Sequence, residues 1–189
     1  VDKGNDIASL IEAFEKVKNT KKAVVVHINT LKGKGYAPAE QNKEEWHWHM
    51  PCDIATGESL FKDEEPDFSD ASLEYLLKKM DEDKSVVAIT AGTPTVMGFT
   101  ADMRAKAGKQ FVDVGIAEET AVALASGIAA NGGKPVFGVY SSFIQRAYDQ
   151  ITQDVCINGS PVTFTVFAGS VYGMNDVTHL GLQDIPMLN

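Results

Sequence analysis

Apolar residues recur at Ile7, Leu10, Ile11, Phe14 and Val17, the three- and four-residue spacing of one helix face. With Asp6 placed as an N-cap, the spacing predicts an amphipathic helix over residues 6–18. A β-branched run follows at 23–28, Ala23-Val24-Val25-Val26-His27-Ile28, the pattern of a buried strand. It leads into Lys32-Gly33-Lys34-Gly35-Tyr36-Ala37-Pro38, a loop rich in glycine and cation. From about 41 to 70 the periodicity fades and acids gather (Asp63, Glu64, Glu65, Asp67, Asp70), which predicts a linker between domains. Trp46-His47-Trp48-His49 stands in its first half. Two tryptophans so close together predict that this stretch packs against something.

From about 69 onward, helical and strand patterns alternate. Residues 71–80 read as a helix, 86–90 as a strand, 111–114 as a second strand and 118–130 as an alanine-rich helix stopped by Asn131-Gly132-Gly133. Residues 135–140 read as a third strand, 143–157 as a helix and 161–167 as a fourth strand. Alternation at this spacing predicts an α/β fold, a parallel sheet with helices on both faces. Such sheets bind ligands outside the carboxyl ends of their strands. The loops after Val114, Tyr140 and Phe167 are therefore where chemistry is expected.

Composition narrows the function without naming it. The 189 residues carry a formal net charge of −9, which argues against nucleic acid or an anionic membrane as the main partner. It does not argue against an anionic substrate, since a few local cations outweigh a diffuse negative surface. Cys52 and Cys156 lie far apart with no metal-ligand spacing, as expected of incidental thiols in a reducing compartment. No apolar run approaches the roughly 18 residues of a membrane span, and no signal peptide is visible. The chain opens on Val1 within a helix-like pattern and stops at Asn189 just after a helix begins, so both ends are expected to be cuts through a longer protein.

Three clusters fall at successive strand ends. After the second strand, Gly115-Ile116-Ala117-Glu118-Glu119 puts Glu118 at a strand-to-helix junction. Either it serves a ligand there, or it and Glu119 complement the positive end of the helix dipole. After the third strand, Tyr140-Ser141-Ser142-Phe143-Ile144-Gln145-Arg146 sets Phe143 and Arg146 three apart on one helix face. A ring beside a cation suits a planar polar ligand; core packing and a surface ion pair would use the same residues. After the fourth strand, Ala168-Gly169-Ser170-Val171-Tyr172-Gly173-Met174-Asn175-Asp176-Val177-Thr178-His179 forms a glycine-containing loop. Its histidine is a proton shuttle or an exposed loop residue.

Together these residues carry a resemblance. Val112-Asp113-Val114-Gly115-Ile116-Ala117-Glu118 and the helix after it resemble the pyrimidine-binding domain of transketolase-like enzymes. Tyr140-Ser141-Ser142-Phe143 with Gln145-Arg146-Ala147-Tyr148-Asp149-Gln150, and Lys32-Gly33-Lys34-Gly35-Tyr36-Ala37-Pro38-Ala39-Glu40, resemble the 1-deoxy-D-xylulose 5-phosphate synthases. The resemblance implies residues 1–45 as the C-terminal part of a diphosphate-binding domain, 46–68 as linker and 69–189 as a pyrimidine-binding domain truncated at its C-terminal end. It implies a homodimeric cytoplasmic transferase that uses thiamine diphosphate and Mg²⁺ to condense pyruvate with glyceraldehyde 3-phosphate, releasing carbon dioxide in isoprenoid-precursor synthesis. Glu118 matches the carboxylate on ring nitrogen N1′, Phe143 the stacking ring, Arg146 a cation near the same ring and Ile116 the apolar prop of the bent cofactor. Lys32 matches a lysine near the diphosphate. His47 matches a histidine beside the reacting carbon, with His49 as the rival. Tyr140, His179 and Asn175 match the substrate pocket.

Departures from the family pattern bear on the acceptor. Glu119-Thr120 stand where the family carries Gln-His, and Ala168 and Asn175 stand where it carries an arginine and an aspartate. That arginine binds the acceptor's phosphate, and losing a charge-assisted contact costs roughly 1.5–3 kcal/mol per hydrogen bond. A different acceptor, or a catalytically silent paralogue acting as a binding or regulatory subunit, are the alternatives. The Mg²⁺-binding Gly-Asp-Gly segment of the family is expected upstream of Val1, so this chain alone is expected to bind the cofactor weakly and not turn over.

Overall fold

A computed structural model of the chain describes residues 1–61, 68–169 and 178–189. The chain divides into two compact units, Val1–Glu64 and Glu65–Asn189.

The first unit holds helix α1 (Ile7–Val17), the short helix α2 (Ala37–Gln41) and a 3₁₀ turn at Glu45–His47. Asp6 caps α1 as expected, its carboxylate accepting from the Ser9 amide at 2.8 Å and the Ser9 hydroxyl at 2.7 Å. The apolar face of α1 is not covered: Ile7 is 73% and Ile11 58% exposed, and no residue of the helix is buried. The strand expected at 23–28 does not form. The segment forms no regular element and pairs with no strand among the described residues, and Val25 is 93% exposed. A strand exists only by pairing, and here the neighbouring backbone meets no more than the chain start: the Val1 amine donates to the His27 carbonyl, the Asn29 amide to the Val1 carbonyl and the Gly4 amide to the Asn29 carbonyl. A β-branched composition favours a strand but cannot supply a neighbour.

The stretch after residue 41 is ordered by turns rather than periodic elements. Trp46 stacks on His49 at 4.3 Å between ring centroids and meets the edge of Tyr36 at 4.9 Å. Cys52 and Ser59 form an antiparallel bridge, and Asp53 accepts from the Ala55 and Thr56 amides. The packing expected of the tryptophans thus holds for Trp46, while Trp48 stays 59% exposed.

The second unit is an open parallel sheet with helices on both faces. In chain order it comprises α3 (Phe68–Glu82), β1 (Val86–Thr90), α4 (Ala101–Ala107), β2 (Phe111–Asp113), α5 (Glu118–Ala130) and β3 (Lys134–Tyr140). Then come α6 (Ser141–Ile144), a 3₁₀ turn (Gln145–Ala147), α7 (Tyr148–Gln150), a π-helical segment (Ile151–Ile157), β4 (Thr163–Phe167) and α8 (Asp184–Leu188). The strands run in the order β2-β1-β3-β4, all parallel.

Alternation along the strands sorts side chains into two cores. Ile89, Phe137 and Val139 face Ala121, Val122 and Ala125 of α5 and Ile144, Ile151 and Val155 of the helical run after β3. Ala88 and Val136 face the opposite way, with Leu76, Leu77 and Met80 of α3 and with Met97 and Phe99. Gly138 lies where a Cβ would come within 2.2 Å of Met97 Cγ, so this strand position is glycine because the buried Met97 fills the space.

The helix expected over 143–157 is wound in four pieces. The Asp154 carbonyl accepts from the Ser126 and Ser160 hydroxyls and from Asn158 Nδ2. The Tyr148 carbonyl accepts from the Thr152 hydroxyl. Side chains that take up helix carbonyls in this way accompany the change of winding.

Candidate functional site

Strand order reverses between β1 and β3, and open sheets leave a crevice at the carboxyl ends of the strands flanking such a point. Three loops build its rim. Asp113, at the end of β2, accepts from the Gly92 amide at 2.8 Å and the Gly115 amide at 2.9 Å, joining the exits of β1 and β2 with one carboxylate. Gly115 has φ +71°, a left-handed turn that favours glycine. The turn leaves Ile116 80% exposed and delivers the chain to Glu118, the first residue of α5.

Glu118 is buried, 2% exposed. Arg146, on the 3₁₀ turn after α6, brings Nη1 to 3.3 Å from Glu118 Oε2 and Nε to 3.2 Å from Glu119 Oε1. The approach to Glu118 is an ion-pair contact without hydrogen-bond geometry, so Oε2 is buried with no donor among the described residues. Such an oxygen is costly to leave unpaired. It is free to accept a hydrogen bond from a donor that enters the site. Glu119 has its pKa lowered, first by a hydrogen bond from its own backbone amide and then, against partial burial, by Arg146.

Tyr140, Phe143 and His179 form a ring cluster. Phe143 lies 5.3 Å from Tyr140 and 5.1 Å from His179, and Tyr140 lies 5.5 Å from His179, all edge-on. His179 Nδ1 is 2.6 Å from the Thr178 hydroxyl. Ser141 is fully buried, and the hydroxyls of Ser141 and Ser142 have no partner among the described residues. At the end of β4, Ala168 adopts φ 51°. A Cβ on Gly181 would fall 2.4 Å from the Ala168 carbonyl oxygen and 2.6 Å from Ser141 Oγ, so the segment carrying His179 packs directly on the ends of β4 and β3. Asn175 lies outside the described residues.

In the first unit, Lys32 Nζ lies 2.6 Å from His47 Nδ1. His49 is engaged elsewhere, its ring on Trp46 and its Nδ1 at 2.7 Å from the Met50 carbonyl. Among the described residues no three His, Cys, Asp or Glu side chains gather as for a metal ion, and no helix is long and apolar enough to cross a membrane.

Sequence reasoning brought Glu118, Phe143, Arg146, Tyr140 and His179 to the right strand ends. It missed the Asp113 clamp, whose signal is an acid two residues before a turn glycine, and the contact of Arg146 with both acids, which no spacing predicts.

An open parallel sheet with a buried carboxylate and an aromatic cluster at its carboxyl edge defines an α/β ligand-binding domain. Comparison with known proteins gives the family. The transketolase, pyrimidine binding domain family matches residues 64–189, and the chain belongs to it. The whole chain is similar to 1-deoxy-D-xylulose-5-phosphate synthase 2 of Geobacter sulfurreducens, 44% identical over 186 residues that make up 98% of this chain and 30% of the relative. It is 43% identical to 1-deoxy-D-xylulose-5-phosphate synthase 1 of Geobacter metallireducens, over 98% of this chain and 30% of the relative. It is 41% identical to the 1-deoxy-D-xylulose-5-phosphate synthase of Halothermothrix orenii, over 98% of this chain and 29% of the relative. The chain thus spans about 30% of the length of the curated relatives it matches.

Proposed function

We propose that this chain carries the residues that activate the aminopyrimidine ring of thiamine diphosphate. The protein containing it condenses pyruvate with glyceraldehyde 3-phosphate to 1-deoxy-D-xylulose 5-phosphate, releasing CO₂. The observation that carries the reading is the buried, donorless Oε2 of Glu118. A protonated ring nitrogen is the donor that this oxygen lacks, so the residues present fit the pyrimidine half of the cofactor. When bound, the cofactor supplies an acidic carbon and an electron sink for decarboxylation.

The chain's own residues do the rest. Glu118, shielded from water, would hold the ring nitrogen through a hydrogen bond at Oε2 and so favour the ring form that can take a proton from the reacting carbon. Arg146, held between Glu118 and Glu119, fixes the position of the carboxylate. Phe143 offers the flat face and the exposed Ile116 the apolar prop. Tyr140 and His179 line the substrate pocket, and Asn175 is assigned to the same substrate by the resemblance alone. The contact with Lys32 supports His47, rather than His49, as the histidine that serves the reacting carbon, and Lys32 serves the diphosphate. The Mg²⁺ ligands belong to other parts of the protein, which works as a cytoplasmic homodimer with small-molecule substrates. Residues 1–45, 46–68 and 69–189 serve as the end of the diphosphate domain, the linker and the pyrimidine domain.

Glu118→Gln in the full-length protein is expected to lower pyruvate-dependent CO₂ release by about 10²–10⁴-fold, the usual weight of a positioned acid–base group. An unchanged rate overturns the reading. The isolated chain is expected to bind thiamine diphosphate and Mg²⁺ only weakly in calorimetry; micromolar affinity contradicts it.

A second reading concerns the acceptor. The end of β4 carries Ala168 where the family has its phosphate-binding arginine, and its carbonyl is packed against Gly181. This favours an unphosphorylated acceptor. CO₂ release that glyceraldehyde 3-phosphate does not stimulate, but an unphosphorylated aldehyde does, selects it over the synthase reaction.

A further inference from the structure

The opposite edge of the sheet carries a second cleft, of about 340 Å³, where β1 and β2 begin. Its apolar wall is Leu77 and Met80 of α3, Val87 of β1 and Ala107 of α4. Its polar lining includes three lysines, Lys84, Lys106 and Lys109, against one acid, Asp81. In a chain of net charge −9 this is a local reversal of sign.

Two neighbouring acids are engaged elsewhere. Glu82 is taken by Lys79 at 2.8 Å, and Asp83 by Lys134 at 2.7 Å and by the Ser85 amide and hydroxyl. Lys106, Lys109 and Asp81 have no partner among the described residues. Lys84 is held in place: Nζ donates to the Met80 carbonyl at 2.9 Å and to Gln110 Oε1 at 3.3 Å. Gln110 is itself fixed, its Nε2 donating to the Asp83 and Val86 carbonyls. One ammonium group is thus positioned in advance and two more line the same cleft. Lysine binds phosphate as a point charge, and the volume lies in the range of small-molecule pockets.

We propose that this cleft binds a phosphorylated small molecule with a compact apolar body, the phosphoryl group on the lysines and the body on Leu77, Met80, Val87 and Ala107. The site lies at the amino ends of the strands, away from Glu118, and does not depend on the reading given above for Glu118. A single walled cleft on an acidic protein does not suit nucleic acid, which is met by an extended basic stripe.

Amide chemical shifts of the whole isotopically labelled chain, titrated with phenyl phosphate and with inorganic phosphate, test this. Saturable shifts are expected at Lys84, Lys106, Lys109 and Gln110, with residues 118 and 146 unmoved. Phenyl phosphate is expected to bind at least about fivefold tighter than inorganic phosphate because its ring leaves water. The exposed pair Lys106→Gln and Lys109→Gln, checked for an unchanged far-UV spectrum, is expected to weaken binding about tenfold or more. Non-saturating shifts spread over all exposed lysines, equal affinity for the two phosphates, or undiminished binding by the double variant each overturn the proposal.

Discussion

Glu119 sets the charge seen by Arg146, and Arg146 in turn faces Glu118. Glu119 has its pKa lowered below the ordinary value, and the guanidinium contacts both acids. A depressed carboxyl contributes stability fully above its ordinary value near 4.5 and loses it as pH falls through the lowered folded-state value. Replacing Arg146 by Met is expected to raise the Glu119 titration midpoint toward 4.5 without reaching it, because the larger cause, the backbone amide, remains. Carboxyl carbon shifts followed by NMR measure it, and an unmoved midpoint contradicts the shared guanidinium. Glu118 was legible at this scale because Gly115-Ile116-Ala117-Glu118 follows a strand and opens a helix. Its pairing with a cation 28 residues away was not, since that depends on how α5 and the turn after α6 pack.

Elements with a strong period were read nearly to their ends: β1 spans Val86–Thr90 and α5 Glu118–Ala130 as expected. The short α4 and the 3₁₀ turn at Pro94–Met97 were not anticipated, because seven residues carry too little periodicity to stand out. The unpaired 23–28 segment fails for the opposite reason, a strong pattern without a neighbour. Within the sheet, the close approach of Met97 to Gly138 gives a sharp expectation. Gly138→Ala is expected to destabilise the second unit by about 1–3 kcal/mol through overpacking, read as a lower urea midpoint at unchanged slope. At the strand starts, Asp83 joins β1 to β3 through Lys134 and Ser85, and these partners hold its carboxyl far below the usual range. Asp83→Asn is expected to lower the thermal midpoint at neutral pH. The deficit relative to the parent should shrink as pH falls below the ordinary value of 3.8 toward the depressed one, because the parent then loses the same charge. A deficit independent of pH contradicts the ionic origin.

At the scale of the whole molecule, the two units differ in what they bury. The second holds both cores, whereas Ala39 is the only apolar residue of the first that is buried among the described residues. Residues 65–189 are therefore expected to unfold cooperatively on their own in circular dichroism, and 1–64 to show no cooperative transition; the reverse result contradicts the assignment of the cores. The open run Ala23-Val24-Val25-Val26-His27-Ile28 has a further consequence for handling the chain. Six residues of high β-propensity, with no proline and no permanent charge, are the kind of sequence that stacks in register from copy to copy. Concentrated samples should therefore lengthen into fibres after a lag that preformed seeds abolish, and a lysine in place of Val25 should lengthen that lag.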